Sequence, residues 1–137
     1  DYICPSHFWP CWPGLPDTAP FAALVEGKNV GIYPTIWPVP AWLDEDAPPI
    51  ERDNLDLMRR YKDELCEIVL QAYAEGADGM SSYNWLPHHQ HGMLPYPMRP
   101  NWGDGNTALQ MHIHAVMSDH AAVKAYAASD LLLEGDS

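Results

Sequence analysis

Carboxylates, histidines and tryptophans are the side chains here that could do chemistry, and they gather in proline-rich stretches. Asp44, Glu45 and Asp46 form the densest carboxylate run. Paired carboxylates can share general acid and base work. A solvated turn is the other reading of such a run, because charges prefer water. Asp17 and Asp104 are further candidates, Asp17 also suiting a helix cap. Asp78 suits fixing a turn. His88, His89 and His91 cluster in one stretch, and His7 stands alone near the start. His88 and His89 are adjacent and point apart in an extended chain. His89 and His91 could share a face, but no cysteine or carboxylate follows closely enough to complete a metal site. No metal is therefore expected, and hydrogen bonding to hydroxyls or an exposed loop remain. Trp9, Trp12, Trp37, Trp42 and Trp85 supply flat indole faces. Such faces pack on apolar C–H patches of a sugar ring, and the indole N–H donates to a hydroxyl. They equally suit plugging the open end of a core, and Trp102 is read as core. Asn84 carries an amide that can bridge two hydroxyls.

The elements that must position these residues alternate in type. Tyr2 to Phe8 reads as a strand, followed by a Pro-, Gly- and Trp-rich loop through Pro16. Asp17 or Thr18 caps a short helix over Pro20 to Val25, ended by Gly27. Val30 to Ile36 is β-branched and aromatic and reads as a second strand. Pro38, Pro40, Pro48 and Pro49 keep the next stretch out of any central strand. Leu55, Met58, Tyr61, Leu65, Ile68, Val69 and Ala72 recur at helical spacing. They predict a helix from about Asn54 to Glu75, capped at Asp53 or Asn54 and stopped at Gly76. Gly79 to Trp85 is the third strand. Asn106 to Met117 is a further helix, and Ser118 caps a shorter one through Tyr126. His112 and His114 are poorly spaced for chelation, and one of them is expected in a helix–sheet contact. Strand and helix alternation predicts a parallel sheet. Sites in parallel sheets lie beyond the carboxyl ends of the strands. The long loops 9–16, 37–52 and 86–104 are at those ends.

The bulk numbers narrow the field. The chain has 137 residues and 47% hydrophobic content, which suits one folded domain. It is short of the roughly 250 residues of a closed eight-unit barrel. Seven basic against 19 acidic residues give a net charge of −12. That field repels phosphate backbones, so no nucleic-acid partner is expected. No run approaches the roughly 18 apolar residues of a membrane span, and no signal peptide is expected. Localisation stays open. The chain begins in a strand-like run, which predicts a fragment of something longer. Three cysteines, Cys4, Cys11 and Cys66, do not make a disulfide framework. A Cys4–Cys11 bond is open, and Cys66 reads as a small core residue. There is no phosphate-binding Gly-rich loop, Gly-x-Ser-x-Gly elbow or zinc-type cysteine spacing, so no cofactor is expected.

Three stretches carry a family resemblance. They are Asp1-Tyr2-Ile3-Cys4-Pro5-Ser6, Val25-Glu26-Gly27 leading to Val30-Gly31-Ile32-Tyr33-Pro34, and Ala74-Glu75-Gly76-Ala77-Asp78-Gly79 followed by Tyr83-Asn84-Trp85. Together they resemble the sixth, seventh and eighth strand regions of a glycoside-hydrolase-like TIM-barrel family, over roughly residues 1 to 125. The last stretch is the most specific. The resemblance implies an α/β fold: one partial (β/α) barrel domain over 1–137, with three parallel strand–helix units from the carboxy-terminal part of a TIM barrel. It implies glycoside hydrolysis at the carboxyl ends of the strands. The strand ending Thr35-Ile36-Trp37 lacks the carboxylate many such enzymes carry there. Acid–base catalysis then falls to Asp44, Glu45 and Asp46. Glycoside cleavage needs two carboxylates about 5–5.5 Å apart for retention, or 6.5–9.5 Å for inversion. His7, Trp9, Trp37, Trp42, Asn84, Trp85, His88 and His89 are expected to hold a carbohydrate substrate. The alternative is a non-catalytic carbohydrate-binding or structural fragment. Unpaired strand edges in a partial barrel predict a homo-oligomer.

Overall fold

A computed structural model describes residues 1–5, 17–36, 48–82, 104–130 and 132. The element order is β1 (Tyr2–Ile3), α1 (Ala19–Val25), β2 (Gly31–Ile32), β3 (Thr35–Ile36), α2 (Leu55–Ala74), β4 (Ser81–Ser82), α3 (Asp104–Val116) and α4 (His120–Ala128).

The longest element, α2, follows directly from its periodicity. Met58, Tyr61, Leu65, Val69 and Ala72 fall on one stripe and are all buried. Asn54 caps it, its side-chain oxygen accepting from the Leu57 N–H at 3.2 Å. At the other end Gly76 has a φ of 110°, a backbone conformation that disfavours any side chain. A Cβ there would also sit 2.7 Å from the Ala22 Cβ, so α1 approaches α2 where residue 76 has no side chain.

Most of the core lies between helices. The α2 stripe packs on α4 and α3. Leu109, Ile113 and Met117 come from α3 and its end, and Val123 and Tyr126 from α4. Each such apolar side chain contributes about 1.5–3 kcal/mol when fully buried. Polar contacts fix the packing. The Lys62 amine donates to the Ser129 carbonyl at 2.6 Å and lies 4.4 Å from the centre of the Tyr126 ring. The Tyr73 hydroxyl donates to the Met117 carbonyl at 2.7 Å. The Tyr73 ring also stacks on His120, centroids 4.5 Å apart and planes 7° from parallel.

The strands are short. β1 pairs with β2 in parallel, Tyr2 opposite Gly31 and Ile3 opposite Ile32. β3 pairs with β4 in parallel, Thr35 opposite Ser81 and Ile36 opposite Ser82. This corrects the fold expected from the sequence, a partial (β/α) barrel of three parallel strand–helix units. No such unit forms among the described residues; the chain is a small helical domain with two-residue parallel strand pairs. The physical reason is visible in the backbone. Pro34 divides the β-branched run 30–36 and offers no N–H to a ladder. Pro5 does the same after β1. Burial is then achieved by helix on helix, with Ile32 and Ile36 added from β2 and β3 and Met80 from just before β4.

Element bounds differ elsewhere in smaller ways. The helix expected from Asn106 starts at Asp104. The last helix is capped by Asp119 rather than Ser118, its Oδ1 accepting from Ala122 N–H at 3.1 Å, and it continues to Ala128. Of the third expected strand, Gly79 to Trp85, Ser81 and Ser82 are in β4, and Tyr83 to Trp85 lie outside the described residues.

Candidate functional site

The residues expected to catalyse or to hold a sugar lie outside the described residues. This holds for Asp44, Glu45 and Asp46, and for His7, Trp9, Trp37, Trp42, Asn84, Trp85, His88 and His89. Their points of attachment are described. The Thr35 N–H donates to the Pro5 carbonyl at 2.8 Å, and Thr35 is the β3 partner of Ser81. Pro5, Thr35 and Ser81 therefore stand side by side, neighbouring strands being about 4.8 Å apart. Segments 6–16, 37–47 and 83–103 begin at this row.

Among the described residues, a second place brings side chains together. It is a broad depression of about 820 Å³, lined among others by Tyr2, Cys4, Lys28, Tyr33, Asp78 and Ser81. Strand alternation builds it. Tyr2 and Cys4 alternate with Ile3, and Gly31 and Tyr33 alternate with the buried Ile32. The ring of Tyr33 fills space that neighbouring side chains would need. A Cβ on Gly31 would lie 2.8 Å from its Cε2, and one on Gly79 would lie 2.8 Å from its Cδ1 and Cε1. Tyr2 meets Tyr33 edge to face, with centroids 6.0 Å apart and planes at 88°. Both residues keep exposed surface, 70% for Tyr2 and 36% for Tyr33.

Polar groups border these rings. Asp78 is tied to β2 from both directions. Its N–H donates to the Ile32 carbonyl, and its Oδ2 accepts the Ile32 N–H, each at 2.8 Å. The turn role expected of Asp78 is thus a cross-strand clasp. The Lys28 amine donates to the Leu24 carbonyl at 2.8 Å, at the end of α1. Aromatic faces, an acid, an amine and the Ser81 hydroxyl share one surface. That set can stack against an apolar ring face and exchange hydrogen bonds with hydroxyls. The sequence signal for it was Gly31-x-Tyr33, a small and a large residue on one strand face. It is a weak signal beside the tryptophans and the long loops at the carboxyl ends of the strands.

Other titratable groups stand apart from this surface. Burial pushes the Cys66 thiol up to about 11. Burial also holds the Lys62 amine below its ordinary range. Near the start of α3, Asp104 accepts the Arg52 N–H at 2.9 Å, which holds its carboxyl pKa below the ordinary value. Its hydrogen bond with Glu51 raises the pKa of Glu51. Asp104 also pairs with the Arg52 guanidinium at 3.8 Å, in the open. This carboxylate is structural: it joins residues 51 and 52 to α3. His112 lies 4.4 Å from the Tyr126 ring, so its contact is helix to helix and not helix to sheet. No group of three histidine, cysteine or acidic side chains among the described residues could hold a metal ion. Cys4 and Cys66 are free thiols.

Comparison with known protein families, curated proteins and solved structures finds no match for this chain.

Proposed function

We propose that the chain recognises a carbohydrate, through the depression around Tyr33. The observation that carries this reading is the exposed Tyr33 ring, seated at Gly31 and Gly79 and flanked edge-on by Tyr2. A flat aromatic surface beside Asp78, Lys28 and Ser81 suits a sugar, which has apolar ring faces and hydroxyl edges. Titration calorimetry with neutral oligosaccharides of glucose, xylose, mannose and N-acetylglucosamine tests it. At least one series should bind, and Tyr33→Ala should weaken that binding about tenfold, or 1.4 kcal/mol. Binding by none of them, or binding untouched by Tyr33→Ala, overturns the reading.

Hydrolysis is the second reading, favoured by the row Pro5, Thr35 and Ser81. The segments bearing His7, Trp9, Trp37, Trp42, Asn84, Trp85, His88 and His89 start there, as does the one bearing Asp44, Glu45 and Asp46. In this reading the carboxylates divide acid and base roles and the other residues hold the glycoside. A panel of chromogenic glycosides should show turnover by the 137-residue chain. The triple variant Asp44→Asn, Glu45→Gln, Asp46→Asn should lose it. Full activity in that variant removes these carboxylates from the chemistry.

A further inference from the structure

We draw no further inference here: the strongest candidate, the outer edge of β1 together with the exposed Phe21 and Leu24 on α1, carries nothing because nothing in the structure shows what covers it.

Discussion

Cys66 sits on the buried stripe of α2, and burial pushes its thiol up from 9.0 to about 11. Between those values the unfolded chain has lost the proton and the folded chain keeps it. The folded state then binds more protons, so stability falls as pH rises from about 9 to 11. The loss amounts to roughly 2 kcal/mol by pH 11, at about 1.4 kcal/mol for each pH step. Tyr73, raised by burial, adds to the fall above its ordinary value of 10.0. Lys62 works the other way: stability is gained as pH rises through its lowered value toward 10.5. Denaturant unfolding at pH 8 and at pH 10.5 separates these contributions. Cys66→Ala should flatten the alkaline fall relative to the wild type, whereas an equal fall in both would exclude the thiol. The same burial predicts that iodoacetamide modifies the exposed Cys4 well before Cys66 in the native protein, as read by peptide mass spectrometry.

At the scale of elements, helix ends were the most legible part of the sequence. Asn54 and Gly76 bracket α2 as their chemistry requires, because a cap and a positive-φ glycine are local demands. Asn54→Ala should lower stability by about 1 kcal/mol. Gly76→Ala should cost about 1–3 kcal/mol, since it adds backbone strain to a collision with Ala22. Thermal melts of both variants check the order, and an unchanged Gly76→Ala melt would contradict the close approach. Strand lengths were not legible. The run Val30 to Ile36 has the composition of one strand, yet Pro34 divides it. Composition reports what suits a pleated surface, whereas pairing depends on each N–H in turn. The cap of α4 is Asp119, one residue beyond the expected Ser118, because both are good capping types.

For the whole molecule, hydrophobic patterning located the helical core, and it misjudged the architecture. An alternation of strand-like and helical stretches is shared by barrels and by helical domains with short strands. Only the three-dimensional packing of α2 on α3 and α4 separates them. The candidate depression was hidden for a similar reason, since Tyr2, Tyr33 and Asp78 come from three distant points of the chain. A net charge of −12 also acts at this scale. Copies of the chain repel one another, and screening weakens that repulsion. The self-association expected of open strand edges should therefore strengthen as salt is raised. Light scattering at low and high salt measures it, and a monomer at both, at micromolar concentration, would argue against association.

The seating of Tyr33 reaches beyond this one chain. Because Cβ atoms at positions 31 and 79 would both enter the space of its ring, the three positions cannot drift independently. A lineage that acquires alanine at either glycine must shrink or reorient residue 33, and with it the exposed aromatic surface. Across descendants of a common ancestor, glycine at 31 and 79 should be inherited together with an aromatic residue at 33, and lost together with it.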